Sequence, residues 1–152
     1  MTVGDALPEL SVVLTTPDRF ETIGHTMSHL REQTVRDRIE VVIVGPSMRE
    51  LELDAGTLEG FHGYRIVEIG AVRSSAAARV AGIRAASAPI VALAEDHSFP
   101  APDWAEVLIA AHRGGWAAVG PAIHNGNPAT MLSWANLLPE YGQWMGFRRG
   151  FE

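Results

Sequence analysis

The sequence contains no cysteine and no lysine, and each absence excludes a class of chemistry. Without cysteine, the chain has no disulfides, no thiolate nucleophile and no Cys-ligated zinc or iron–sulfur centre. Without lysine, it has neither Schiff-base chemistry nor the lysine of a phosphate-binding loop. All 12 basic residues are arginines. Positive charge at a functional site therefore comes from arginine or from protonated histidine.

Basic residues are also outnumbered, since 18 acidic residues give a formal net charge of −6. This balance disfavours general binding to nucleic acid or to anionic membranes. No apolar run approaches the roughly 20 residues that a membrane span requires. The first nine residues include Asp5 and Glu9 and lack the basic and apolar regions of a signal peptide, so we expect a cytoplasmic protein.

Strands and helices alternate along the 152 residues, of which 47% are apolar, and we expect a single domain over residues 1–152. The predicted strands are 10–15, 40–44, 64–69, 89–94 and 116–123, and the predicted helices begin at Thr16-Pro17, at Ser74 and at Pro102. Residues 48–63 are acidic and weakly periodic, which favours a surface excursion. The alternation predicts an α/β fold with a mostly parallel sheet covered by helices on both faces.

The tripeptide Glu95-Asp96-His97 directly follows the apolar run 89–94. Alternation along an extended segment places Glu95 and His97 on one side, at the carboxyl edge of the sheet, where ligands of such sheets bind. A carboxylate and an imidazole can hold one hard cation, Mn²⁺ or Mg²⁺, and leave positions for water or a diphosphate. The alternative is that these residues cap the next helix or face solvent.

Three segments together resemble the GT-A fold of family 2 glycosyltransferases. LSVVLTTPDR (10–19) resembles the family's first strand, S-V-V-I-P-T-Y-N-R, and ARVAGI (78–83) resembles its A-R-N-x-G-I helix. PIVALAEDHSFPAPDW (89–104) resembles the strand that carries the D-x-D motif and the helix start after it, with E-D-H in place of D-x-D. The resemblance implies a Rossmann-like parallel sheet and a nucleotide-diphospho-sugar donor, with the chain forming the N-terminal donor-binding part of a truncated GT-A domain.

The resemblance also assigns residues to the expected site. It assigns Glu95 and His97 to the divalent cation, and it assigns the donor to Thr16, Asp18, Arg19, Arg79, Glu95 and Asp96. The expected partners are this donor and an acceptor that the sequence does not specify.

Departures from the family pattern leave the activity open. The second strand is followed by Gly45-Pro46-Ser47, where the family has an aspartate that reads uracil. In the family, the catalytic base belongs to an acidic motif well beyond the fifth strand, and we expect that motif to be absent from these 152 residues. The alternative to a transferase is therefore a non-catalytic GT-A-like module for binding or assembly.

Residues 131–152 form an aromatic-rich tail with Trp134, Tyr141, Trp144, Phe147 and Phe151. So many large apolar side chains in a short segment predict an interface, and we expect a homo-oligomer formed through this tail. The alternative is that the tail folds back over the sheet of its own chain.

Overall fold

The computed structural model describes residues 6–146, which form one four-stranded sheet with helices packed on both faces. The strands are β1 (Leu10–Thr15), β2 (Ile39–Gly45), β3 (Gly63–Glu68) and β4 (Ile90–Leu93). The helices are α1 (Glu21–Arg31), α2 (Met48–Leu51), α3 (Ser75–Ala85), α4 (Trp104–His112) and α5 (Met131–Tyr141), with 3₁₀ turns at Arg36–Arg38, Ala55–Leu58 and Gly142–Trp144.

All four strands are parallel and lie in the order β3-β2-β1-β4. In the register, Thr15 of β1 pairs with Val44 of β2, and Val13 pairs with Leu93 of β4. The carboxyl ends of β1, β2 and β4 therefore lie side by side at one edge of the sheet. The predicted α/β fold is confirmed, with a parallel sheet between helices.

Alternation along β1 and β2 divides the interior into two cores. Val12 and Leu14 of β1 face the larger core, which also contains buried residues of α1 and α4. Val13 faces the smaller core with Val42, Val44 and Ala78 of α3. Seven consecutive residues of β2 are buried, because helices cover both faces of the central strands.

Helix α3 lies close to the sheet through Ala78 and Gly82, the buried residues of that helix. A Cβ atom at Gly82 would collide with the side chain of Val13 and lie 3.0 Å from Val44 Cγ2. The absence of a side chain at Gly82 therefore allows this side of α3 to approach the strands, whereas Val80 of the same helix is 45% exposed.

The first helix begins later than Thr16-Pro17 predicts. The Thr16 hydroxyl donates to the Arg19 carbonyl (2.9 Å), and the Phe20 N–H donates to the Leu51 carbonyl (2.9 Å). These bonds form a turn between β1 and α1, so the N-cap position falls on Phe20 and carries no side-chain cap.

The strand predicted at residues 116–123 does not form in the described part of the chain. Pro121 has no N–H to donate to a ladder, and the Ile123 N–H donates to the Trp144 carbonyl instead (2.9 Å). The segment is therefore an irregular connection that contacts the residues after α5.

Residues 48–63 are more ordered than a surface excursion would be. Leu51 of α2 and Leu58 of the second 3₁₀ turn are buried in the larger core. The sequence concealed this because each element buries only one side chain, which gives no detectable period.

A polar cluster lies at the amino end of the sheet, away from the E-D-H turn. The Glu40 carboxylate is buried and accepts hydrogen bonds from Ser11 Oγ (2.5 Å), Arg65 Nε (2.7 Å) and both the N–H and the hydroxyl of Ser87 (2.8 Å each). Burial raises the pKa of Glu40, but these hydrogen bonds together lower it by more than burial raises it. The net result is a pKa below the ordinary value of a glutamate. Glu40 thus joins β1, β2, β3 and the segment that follows α3.

None of the helices in residues 6–146 has the length and apolar character needed to cross a membrane. Of the aromatic tail, the structure describes α5 and the 3₁₀ turn, whereas Phe147 and Phe151 lie outside the described residues.

Candidate functional site

The E-D-H tripeptide lies in the turn that leaves β4 at the carboxyl edge of the sheet. The Ala94 N–H continues the pairing with β1 by donating to the Val13 carbonyl (3.0 Å). Thr26 of α1 is fully buried and donates through its hydroxyl to the carbonyls of Glu95 (3.1 Å) and Asp96 (2.9 Å). The backbone of the turn is therefore fixed from α1, which leaves its side chains available for ligands.

Three side chains from different parts of the chain surround the Glu95 carboxylate. Arg79 Nη2 of α3 lies 3.4 Å from Oε1, whereas His97 Nε2 lies 3.3 Å from Oε2. The Tyr141 hydroxyl of α5 donates to the same Oε2 at 3.1 Å. The hydrogen bond to Glu95 raises the pKa of Tyr141, and both burial and the negative charge of Glu95 act in the same direction.

Asp96 orients the His97 ring, since its Oδ1 lies 2.8 Å from His97 Nδ1. A neutral His97 whose Nδ1 proton points at this carboxylate has its lone pair on Nε2, the atom that faces Glu95. A carboxylate behind a histidine is the usual arrangement at protein metal sites. The tripeptide thus supplies two neighbouring donor atoms and the group that orients one of them.

The donor atoms suit an open cation site rather than a closed one. No group of three or more metal-binding side chains occurs within residues 6–146. Glu95 Oε2 and His97 Nε2 are 3.3 Å apart, close enough for both to contact one ion. Their side chains are 39% and 70% exposed, so water or a diphosphate has access to the remaining coordination positions.

Thr16, Asp18 and Arg19 lie in the turn after β1, at the same edge of the sheet. Thr16 is buried, and its N–H donates to the Val44 carbonyl (2.9 Å). Asp18 Oδ1 accepts from the Thr22 hydroxyl and the Arg19 N–H (2.6 Å each), and these bonds lower the pKa of Asp18. Arg19 extends towards Glu52 (3.7 Å), whereas Arg79 is the arginine that contacts the E-D-H turn.

An open cavity of about 560 Å³ lies between the E-D-H turn and α5. His97 lines it on one side, and on α5 the polar Ser133, Asn136, Glu140 and Tyr141 alternate with the apolar Ala135, Leu137 and Pro139. Hydroxyl, amide and carboxylate groups can exchange hydrogen bonds with a ligand that carries many hydroxyl groups. The cavity therefore places space for a polar ligand directly beside the candidate cation site.

The sequence matches the family model described as glycosyl transferase family 2 over residues 11–150. The chain belongs to this family. A comparison with curated proteins gives no significant match.

Three solved structures share the fold at low sequence identity. S. aureus TarS residues 1–349 superpose with a TM-score of 0.58 at 14% identity, covering 78% of this chain and 42% of that one. A second TarS structure superposes with a TM-score of 0.56 at 15% identity, covering 69% of this chain and 20% of that one. The third structure is the mannosyltransferase PcManGT from Pyrobaculum calidifontis in complex with GDP-Man and Mn²⁺. It superposes with a TM-score of 0.55 at 20% identity, covering 88% of this chain and 39% of that one. The chain thus spans 20% to 42% of the length of these structures.

Sequence reasoning identified the family and the E-D-H turn but missed two residues that contact this turn. Thr26 occupies one position among the polar residues of α1, and Tyr141 was counted only as an apolar residue of the tail. Their contacts with Glu95 span 69 and 46 residues. No local pattern in the sequence signals either contact.

Proposed function

We propose that this chain binds a nucleotide-diphospho-sugar with the help of Mn²⁺ or Mg²⁺ and serves transfer of the sugar to an acceptor. The observation that carries the proposal is the pairing of Glu95 Oε2 with His97 Nε2 at the carboxyl edge of the sheet. Family membership and a solved neighbour that contains GDP-Man and Mn²⁺ support it.

In this proposal, Glu95 and His97 hold the cation, and Asp96 keeps Nε2 of His97 directed at it. When bound, such a cation neutralises charge that develops on a departing diphosphate. Arg79 contacts Glu95 and adds positive charge beside the expected position of the diphosphate.

The turn that contains Thr16, Asp18 and Arg19 would contact the nucleotide at the carboxyl end of β1. This turn and the E-D-H turn follow adjacent parallel strands, so they lie at the same edge of the sheet. The cavity between His97 and α5 then provides space for the transferred sugar and the acceptor. The acceptor itself is not specified by these residues.

The test is a set of nucleotide-diphospho-sugars offered with Mn²⁺ and, in parallel, with a chelator. We expect at least one donor to bind in calorimetry only when Mn²⁺ is present, and nucleoside diphosphate to be released as the sugar passes to an acceptor or to water. Absence of Mn²⁺-dependent binding for every donor would contradict the proposal. Binding without release would favour the alternative function of a non-catalytic module.

We also propose that the chain forms a homo-oligomer through residues 131–152. The described part of this tail contacts its own E-D-H turn through Tyr141, yet it leaves apolar side chains exposed: Met131 (89%), Leu132 (71%), Trp144 (53%) and Leu138 (51%). Large contiguous patches of exposed apolar side chains mark interaction sites on proteins. We expect light scattering at micromolar concentration to give a dimer mass that Trp144→Ala reduces, whereas a monomeric wild type would contradict the proposal.

A further inference from the structure

We propose that Tyr141 of α5 is a positioning residue of the cation site, one that fixes the Glu95 carboxylate so that Oε2 faces His97. The inference rests on the proposed function, because it assumes that Glu95 and His97 share a cation. It adds a residue from outside the E-D-H motif and makes α5 part of the donor site.

The first step of the argument is that the two oxygens of Glu95 have different partners. Arg79 lies at Oε1 (3.4 Å), and the Tyr141 hydroxyl donates to Oε2 (3.1 Å). Because α3 contacts one carboxylate oxygen and α5 contacts the other, a rotation of the carboxylate breaks at least one of these contacts. Because the Glu95 side chain is 39% exposed, the surrounding packing alone does not hold it.

The second step concerns the role of Oε2, the oxygen that lies 3.3 Å from His97 Nε2. A carboxylate oxygen has two lone-pair directions, so it can accept from Tyr141 and still contact a cation. Loss of the Tyr141 hydroxyl would let the carboxylate turn towards Arg79 and away from His97. Hydrogen-bond partners of metal-binding carboxylates commonly change metal affinity by about 10–100-fold.

The third step is that α5 is anchored where this contact requires it. The Ser133 hydroxyl donates to Asn125 Oδ1 (2.9 Å) near the start of the helix. Beyond its end, the Ile123 N–H donates to the Trp144 carbonyl (2.9 Å). Both ends of α5 are thus hydrogen-bonded to the segment 123–125, and these two contacts do not involve the Tyr141 hydroxyl.

The experiment measures binding of Mn²⁺ alone by water-proton relaxation, which requires neither a donor nor turnover. We expect Tyr141→Phe, which removes only the hydroxyl, to weaken Mn²⁺ binding about tenfold. Tyr64→Phe is the matched control, because Tyr64 of β3 is the chain's other tyrosine and is 49% exposed. We expect its affinity to equal that of the wild type, and thermal melts of both variants establish that they are folded.

A double-mutant cycle distinguishes positioning through Glu95 from a general structural effect. In a Glu95→Gln background, Tyr141→Phe is expected to change Mn²⁺ affinity no further, and an equal loss in both backgrounds would overturn the inference. If Tyr141→Phe binds Mn²⁺ as the wild type does while His97→Ala binds it at least tenfold more weakly, the inference fails and the proposed function stands. If the wild type itself does not bind Mn²⁺ alone, the inference is overturned, whereas the proposed function is overturned only if no donor binds in the presence of Mn²⁺.

Discussion

Replacing Glu40 with alanine is expected to lower the free energy of unfolding by about 2–4 kcal/mol, a large share of the roughly 5–15 kcal/mol typical of a domain. The substitution removes the acceptor of four hydrogen bonds at a buried position. It leaves the buried Ser11 hydroxyl and the half-buried Ser87 N–H without that partner, and unpaired polar groups away from water are costly. Urea unfolding of the variant and the wild type measures the difference.

The matched control for this prediction is Glu59→Ala, since Glu59 is exposed and a surface substitution of this kind changes stability by less than about 0.5 kcal/mol. Equal losses of unfolding free energy in the two variants would show that the hydrogen bonds of the buried cluster do not stabilise the fold.

The stability that the Glu40 charge contributes also depends on pH. Because the folded protein holds the pKa of Glu40 below its ordinary value of 4.5, this stabilisation is complete above that value and is lost as the pH falls below it. The difference in unfolding free energy between wild type and Glu40→Gln should therefore shrink when the pH is lowered from 7 to 4. A constant difference would contradict an ionised Glu40 in the folded state.

The second large effect is expected at His97, where substitution by alanine should weaken Mn²⁺ binding at least tenfold, about 1.4 kcal/mol or more. The variant removes Nε2, one of the two donor atoms that the E-D-H turn supplies. Because the His97 side chain is 70% exposed, the fold should be unaffected, and a thermal melt checks this. The measurement is Mn²⁺ titration with UDP present, since a diphosphate fills coordination positions that the protein leaves open.

His62→Ala is the control for the His97 prediction. His62 is exposed and precedes β3, where its N–H donates to the Ile39 carbonyl at the amino end of the sheet (2.9 Å), far along the strands from the E-D-H turn. We expect this variant to bind Mn²⁺ like the wild type. Equal affinity of wild type and His97→Ala would remove His97 from the cation site.

Much of the architecture follows from local patterns in the sequence. The apolar runs predicted β1, β2 and β4 to within a residue or two, because a strand buried on both faces requires consecutive apolar residues. The position of Ser74 predicted the start of α3, where its hydroxyl accepts from the Ala77 N–H (3.3 Å). The same reasoning failed at residues 116–123, since strand-like composition does not supply a pairing partner.

The sequence by itself determined the parallel α/β fold, the family and the position of the E-D-H turn, because each depends on residues that are neighbours along the chain. Tertiary structure alone decided that Glu40 is the centre of a buried polar cluster, that Gly82 sets the approach of α3, and that Tyr141 contacts Glu95. The physical reason is that hydrogen bonding and close packing act between atoms near in space. Glu95 and Tyr141 are 46 residues apart in the sequence, and Glu40 and Ser87 are 47 residues apart, so only the folded chain brings each pair into contact.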